Sequence, residues 1–220
     1  MRFREGIDLI RTSFGRRWLV RTVRKRLYSH HESVCLRRDL TVPFTPPPAK
    51  IPLTVRRLQP DDDLSFLDDE PGLSPEVTQL RTDQRWLIQQ DLPAPWVAVD
   101  PDGKVCLMTY LFTAQDNPRV RALWGDWLPE LKPDEAMIEG IYTADSHRGL
   151  GIMADAATRI AEQARDVGVR YGVGFIPFKN VASQRGGEKA GWRPYLRREE
   201  DWFLFRRRVR FFPIGDDPAN

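Results

Sequence analysis

Residues 136–168 restrict the possible folds of this 220-residue chain more than any other segment. The run Ala136–Thr143 predicts a strand, and a short glycine-containing loop follows it. The loop leads into a segment where apolar residues recur at helical spacing, at Ile152, Ala156 and Ile160. Because a helix start leaves main-chain N–H groups unpaired and partly positive, this order of elements predicts a phosphate-binding loop.

The loop and the residues that follow it resemble one known family. Arg148-Gly149-Leu150-Gly151 matches most of the signature R/Q-x-x-G-x-G/A, and Asn180, Ser183 and the run 190–192 (Ala-Gly-Trp) follow in the expected order. This set resembles the GNAT superfamily of acyl-CoA-dependent N-acyltransferases over about residues 53–210. The last position of the signature is Met153, where the family usually has Gly or Ala.

The resemblance implies a fold and an activity. The expected fold is α/β (α+β), with a mixed, mostly antiparallel, twisted sheet flanked by helices and with an added basic N-terminal helix. The expected enzyme is an N-acetyltransferase or N-acyltransferase that uses acetyl-CoA or another acyl-CoA as co-substrate. A primary amine of a small molecule or peptide attacks the thioester directly in a ternary complex, and no metal takes part.

The resemblance also places the cofactor contacts. The main chain of the central strand pairs with the pantetheine arm, the loop holds the pyrophosphate, and the helix after the next strand adds polar contacts. Arg148 either contacts a phosphate or lies at the surface. The cofactor-binding residues expected in this way are Ile141, Tyr142, Thr143, Arg148, Gly149, Leu150, Gly151, Ile152, Met153, Asn180 and Ser183.

Glu139 on the central strand is the candidate general base, because an ammonium group cannot attack a thioester before it loses a proton. Strand alternation predicts that Glu139 shares a face with Ile141 and Thr143. A structural, partly buried carboxylate is the equally weighted alternative.

In many GNAT relatives a tyrosine protonates the departing thiolate, but the corresponding residue here is Gly187. Water, Ser183 or Tyr195 then takes that role, or catalysis depends on proximity alone. The alternative interpretation of Gly186 and Gly187 is that they open space for a bulkier acyl chain.

Aromatic and acidic residues form the candidate acceptor site. They suit a cationic or amphiphilic amine, although hydrophobic packing explains the aromatic ones equally well. Charge counts agree with such a site, because residues 59–145 hold 6 Lys/Arg against 18 Asp/Glu and residues 146–220 hold 14 against 9. The expected substrate-binding residues are Trp86, Trp124, Asp126 and Trp127.

Composition predicts four segments. Residues 1–40 form a basic helical arm, with 11 Lys/Arg against 3 Asp/Glu in residues 1–38 and an amphipathic helix over Glu5–Leu27. A proline-rich linker or surface strap (41–52), an acyltransferase domain (53–212) and a tail (213–220) follow. The basic helix packs on the domain or on a second subunit of a homodimer, or residues 1–28 bind an anionic membrane surface.

Local patterns predict the elements of the domain. The expected strands are Ser33–Leu40, Leu53–Leu58, Trp96–Val99, Val105–Ala114, Ala136–Thr143, Arg170–Ile176, Trp192–Leu196 and Trp202–Phe212, with a strand or flap over Val120–Leu128. The expected helices begin near Pro60–Asp63, at Pro75, at Ile152 and at Val181.

Other classes are disfavoured. Cys35 and Cys106 suggest neither a disulfide framework nor a metal site with the three histidines, and no apolar run approaches a membrane span, so a cytoplasmic location is expected. Nucleic-acid binding is disfavoured because the basic run lacks interleaved aromatics. A non-catalytic CoA-binding regulatory module and a transferase of longer acyl chains at a membrane or on a peptide amine remain alternatives.

Overall fold

A computed structural model describes residues 23–214. Most of the expected helix over Glu5–Leu27, up to residue 22, lies outside the described residues. Its last five residues, 23–27, are described and are helical. The expected tail (213–220) also lies outside the described residues from residue 215 onward.

The described chain forms one eight-stranded sheet with the order β2-β3-β4-β5-β6-β1-β7-β8. Within residues 23–214, β5 and β6 form the single parallel pair, and all other neighbours are antiparallel. This confirms the expected mixed, mostly antiparallel sheet. The strands are β1 Tyr28–Asp39, β2 Thr54–Arg57, β3 Trp96–Val99, β4 Val105–Thr113, β5 Glu135–Thr143, β6 Tyr171–Pro177, β7 Arg193–Phe203 and β8 Arg206–Pro213.

Strand β1 lies inside the sheet, between β6 and β7. Its central residues Val34, Cys35 and Leu36 are buried on both faces, as is typical of an inner strand. The strand expected in the N-terminal arm is therefore longer than predicted and belongs to the same sheet as residues 54–213.

The proline-rich segment 41–52 lies along the helix that follows the glycine loop. The Lys50 N–H donates to the Leu150 carbonyl at 2.8 Å, and the Ala49 N–H donates to Asp155 Oδ2 at 3.2 Å. Phe44 packs on Gly191, where an added Cβ would lie 2.9 Å from the ring. The segment thus connects β1 to β2 as a strap.

Besides the helical residues 23–27, the described chain has four α-helices that pack on the two faces of the sheet: α1 Pro75–Ile88, α2 Asn117–Trp124, α3 Ile152–Gln163 and α4 Val181–Lys189. Ser74 caps α1 by accepting the Val77 N–H at 3.3 Å, with Pro75 in the first turn, as the sequence predicts. Helix α3 packs its alanines and Ile160 into the core on one face, while α1 and α2 cover the other.

Three predictions of local structure were wrong. No α-helix begins at Pro60–Asp63, because the carboxylate of Asp62 binds Arg56 and that of Asp63 binds Ser65. The strand alternative over Val120–Leu128 was wrong, because residues 117–124 are helical, with Pro118 at the start and Gly125 (φ 65°) at the end.

The closing hairpin is longer than expected. Its turn lies at Leu204 and Phe205 instead of Arg197–Asp201, because β7 continues to Phe203 in register with β1 and β8.

No helix within residues 23–214 has the length and apolar content that a membrane span needs.

Candidate active site

Strands β5 and β6 separate, and a cavity lies at the opening. Their pairing ends at Met137 and Val173, so the β6-facing edge of β5 is open beyond Met137. A cavity of about 240 Å³ lies there. Its lining comes from β5, β6, α1, α3, α4 and β1, and includes Leu36, Leu80, Gln84, Glu139, Gly140, Ile141, Met153, Phe175, Asn180, Ser183, Gly186, Gly187 and Trp192.

A β-bulge in β5 directs side chains into this cavity. Tyr110 of β4 pairs with Glu139, but Met108 pairs with Tyr142, so β5 carries one extra residue. Gly140 has φ 67°, a conformation that favours glycine.

The bulge changes which residues share a face. The prediction that Glu139 lies on one face with Ile141 and Thr143 was wrong, because the extra residue interrupts the alternation. Glu139 and Tyr142 instead face the side that α1 covers, and Ile141 packs on the α3 side.

Glu139 lines the cavity, and the pKa of its carboxyl lies near neutrality. Burial raises the pKa of its carboxyl to about 7, against the lowering effects of the Gly140 N–H and the charge of Arg198. Its Oε2 is buried and has no hydrogen-bond partner among the described residues. A carboxyl in this state holds or releases a proton near neutral pH and has an oxygen available for a ligand.

Gln84 is a cavity residue that the sequence analysis missed. Its Nε2 donates to the Gly140 carbonyl at 2.9 Å, and its Oε1 is buried without a partner in the described chain. The available signal was a polar residue on the apolar stripe of α1, four residues after Leu80 and three before Leu87. Gln84 Oε1 and Glu139 Oε2 are two acceptors at the same cavity, which suits a ligand with several N–H donors.

The glycine loop precedes α3 in the geometry expected for an anion site. Gly149 and Gly151 have φ of 77° and 78°, and Gly151, which has no capping side chain, precedes the first helical residue. The first N–H groups of an α-helix have no intrahelical acceptor. The main chain of residues 149–153 is thus able to donate to an anion, and the positive end of α3 adds to the attraction.

Met153 fits beside α4. An added Cβ on Gly186 would lie 2.8 Å from Met153 Sδ, so the thioether occupies the space that Gly186 leaves. An added Cβ on Gly187 would lie 2.5 Å from Leu36 Cδ1. Neither glycine therefore opens empty space beside its own Cα.

Arg148 is half exposed and forms an ion pair with Asp145 at 2.8 Å. Asp145 also accepts from Arg81 at 3.0 Å, and buried Arg81 donates to the Tyr142 hydroxyl at 3.1 Å. Arg81, which the sequence analysis did not single out, thus joins α1 to the end of β5 and to the start of the loop.

Only some of the other predicted cofactor residues line the cavity. Ile141 lines it, whereas the Tyr142 ring packs on Phe66 and Thr143 pairs with Leu107. Asn180 and Ser183 both line it, and Asn180 Oδ1 accepts the Ser183 N–H at 3.1 Å, which caps α4. Leu150 and Ile152 pack into the core beside α3.

Tyr195 does not reach this cavity. It lines a separate cavity of about 390 Å³ together with Arg37 and Tyr171. Burial raises the pKa of its hydroxyl far above the ordinary value, and Cys35 is its hydrogen-bond neighbour.

The four predicted acceptor residues do not line the cavity either. Trp124, the last residue of α2, and Trp127 are partly buried and pack against the core, and Trp127 Nε1 donates to Glu200 at 2.7 Å. Asp126 forms an ion pair with Arg207, and Trp86 is exposed on α1.

No cluster of three or more potential metal ligands occurs within residues 23–214.

Comparisons with known proteins place the chain in a family. A search of curated proteins finds no match. Among solved structures, the chain is similar to a GCN5-related N-acetyltransferase from Sphaerobacter thermophilus, with 16% identity, a TM-score of 0.47, and 90% of this chain and 57% of that chain covered.

It is also similar to a GNAT-family acetyltransferase from Colwellia psychrerythraea, with 14% identity, a TM-score of 0.48, and 92% and 63% covered. The chain thus spans about three fifths of the length of these proteins. The family model for the acetyltransferase (GNAT) family matches residues 66–192, which is more than half of the chain. This chain therefore belongs to the GNAT acetyltransferase family.

Proposed function

We propose that the protein transfers an acyl group, most simply acetyl, from acyl-CoA to a primary amine of a small molecule or peptide. The observation that supports this best is the Glu139 carboxyl, which lies at the cavity between the separated strands with a pKa of about 7 and an unpartnered oxygen. A base with this pKa is about half deprotonated at neutral pH and suits proton removal from an ammonium group.

The reaction is a direct displacement. Glu139 takes a proton from the ammonium group, directly or through water, and Gln84 Oε1 accepts a second N–H and orients the nitrogen. The free amine attacks the thioester carbonyl carbon and a C–N bond forms, which leaves one excess proton on the nitrogen. The C–S bond then breaks, and this proton passes to the departing thiolate directly or through water. The departing thiolate has a parent pKa of about 8.5, so it leaves with little help from an acid.

Acyl-CoA binding uses two features of the fold. The N–H groups of residues 149–153 hold the pyrophosphate. The open edge of β5 beyond Met137 offers main-chain groups to the amides of the pantetheine arm. Ser183 lines this cavity and Tyr195 lines the other one, which favours Ser183 or water over Tyr195 as the proton donor that replaces the missing tyrosine.

The experiment combines binding with turnover. Calorimetry with acetyl-CoA measures the first step, and thiol release with alkyl diamines, amino sugars, arylalkylamines and a lysine peptide measures the second. E139Q should retain acetyl-CoA affinity within about twofold and lose at least about 100-fold in kcat/KM. E130Q, a change at an exposed carboxylate elsewhere, is the matched control.

Two results would contradict the proposal: no acetyl-CoA binding, or equal turnover by E139Q and the wild type. Binding with no thiol release for any amine would favour the alternative of a non-catalytic CoA-binding module.

One argument for a longer-chain acyl donor, the space beside the two glycines, does not hold. The space beside Gly186 and Gly187 is filled by Met153 and Leu36, so these glycines do not lengthen the cavity. Acetyl-CoA should therefore give a higher kcat/KM than a long-chain acyl-CoA in the same assay.

A further inference from the structure

The turn between β7 and β8 places two bulky apolar residues in a conformation that usually requires glycine or asparagine. Leu204 has φ 47° and Phe205 has φ 64°. Two-residue hairpin turns with positive φ at both positions prefer Asn-Gly, and a branched or aromatic side chain there costs free energy. Leu204 and Phe205 therefore make this turn less stable than Asn-Gly would.

The tip is fixed to the helical residues at the start of the described chain. The Leu204 N–H donates to the Leu27 carbonyl at 2.9 Å, and the Phe205 N–H donates to the Arg26 carbonyl at 2.8 Å. Tyr28, which follows, pairs with Phe203 across β1 and β7. The two segments therefore form one surface.

Six large apolar side chains on this surface are exposed, with relative exposures between 41% and 75%. We call them the hairpin-tip surface: Val23, Leu27, Tyr28, Phe203, Leu204 and Phe205. Exposed apolar residues are ordinary one at a time, but six of them on two joined segments are typical of an interaction site.

The two segments that form this surface carry cationic charges only. Residues 23–28 and 202–208 contain no Asp or Glu. Five exposed cationic side chains flank the apolar group: Arg24, Lys25, Arg26, Arg206 and Arg208. Arg207 differs, because it forms an ion pair with Asp126.

We propose that the hairpin-tip surface inserts into the headgroup region of an anionic lipid membrane. Aliphatic and aromatic side chains enter the boundary between headgroups and acyl chains, and the surrounding cations contact lipid phosphates and carboxylates. A nucleic acid would match the cations, but Leu27, Leu204 and Val23 have no counterpart on a phosphodiester backbone. This surface goes beyond acyl transfer and depends on none of its steps.

The first test separates a docking role from a structural role. L204N/F205G replaces the tip with the residues that the turn prefers, so its melting temperature should rise. The same variant should bind vesicles of 70% phosphatidylcholine and 30% phosphatidylserine at least about tenfold more weakly in co-sedimentation with the full chain. V167S, at an exposed valine beyond α3, is the control and should bind as the wild type does.

The second test addresses charge. R206Q/R208Q should lower affinity for the anionic vesicles by about fivefold per charge and leave weak binding to pure phosphatidylcholine unchanged. R119Q/R121Q removes two exposed charges from α2 and should have little effect.

The proposal is overturned if the wild type does not bind anionic vesicles or if L204N/F205G binds them as tightly. Binding of a duplex oligonucleotide that R206Q/R208Q abolishes and L204N/F205G retains, without vesicle binding, would assign the surface to nucleic acid instead.

Discussion

The Glu139 carboxyl titrates near pH 7 in the folded chain, whereas its ordinary value is 4.5. Between these two values the folded chain binds a proton that the unfolded chain has released, so stability falls as pH rises through this window. The same burial that makes Glu139 a base near neutral pH therefore destabilises the fold when the carboxyl is charged.

The substitution E139Q removes this dependence. At pH 8 we expect E139Q to have a larger free energy of unfolding than the wild type, by up to about 3 kcal/mol, and at pH 4 the difference should nearly vanish. Urea denaturation at the two pH values measures it. A stability difference that does not vary with pH would show that Glu139 has no raised pKa.

Gly172 of β6 is a second residue whose role follows from its surroundings. Its φ is ordinary, but an added Cβ would lie 2.7 Å from the buried Trp192 ring. G172A should destabilise the fold by about 1–3 kcal/mol, because a rigid buried ring cannot move aside. In a W192F background, which removes the outer ring, the same change should cost less than about 0.5 kcal/mol. Equal costs in both backgrounds, measured by urea denaturation, would refute this explanation.

Among the elements, the bulge in β5 determines the site geometry. G140A should destabilise the fold through its positive φ and also through Gln84 Nε2, which would lie 3.3 Å from the new Cβ. Gly103 is the matched control, since its φ is 82° and its Cβ would meet nothing within 4 Å. G140A should therefore cost about 1 kcal/mol more than G103A.

G140A should also lower kcat/KM for the amine with acetyl-CoA affinity unchanged, because Gln84 and Glu139 both move with the bulge. Denaturation and steady-state kinetics of the two variants measure these effects. Equal stability losses for the two glycines, with unchanged kinetics for G140A, would contradict a role for the bulge.

Elements with strong local signals were predicted from the sequence. Ser74 and Pro75 begin α1, and the run 100–103 separates β3 from β4 as expected. The turn at Leu204 and Phe205 was not predictable, because neither residue favours a turn and the register of the neighbouring strands fixes its position. The segment of helix α2 was expected to be a strand or flap because its apolar residues also fit strand spacing.

Part of the geometry of the candidate site follows from the sequence. The loop at Gly149 and Gly151 and the position of Glu139 follow from local patterns. The face of Glu139, the role of Gln84 and the pairing of Met153 with Gly186 depend on contacts between elements that are distant in sequence, so no local pattern shows them.

For the whole molecule, the position of β1 is the main difference from expectation. Sequence composition suggests an arm before a linker, yet β1 pairs with β6 on one side and β7 on the other. We expect the amides of Val34, Leu36 and Arg38 to exchange with solvent as slowly as that of Val173 on β6. Hydrogen exchange measured by NMR or mass spectrometry tests this. Exchange as fast as that of the strap would show that β1 detaches on its own.

The same arrangement affects how the protein is made. Tyr28 pairs with Phe203, so β1 has its sheet partners, β6 and β7, only in segments that are synthesised much later. At about 5–20 residues per second, β1 waits roughly 10 to 30 s before β6 and β7 are synthesised. During translation the buried residues Val34, Cys35 and Leu36 lack their partners in the sheet, so β1 completes its pairing only after the C-terminal hairpin has been synthesised.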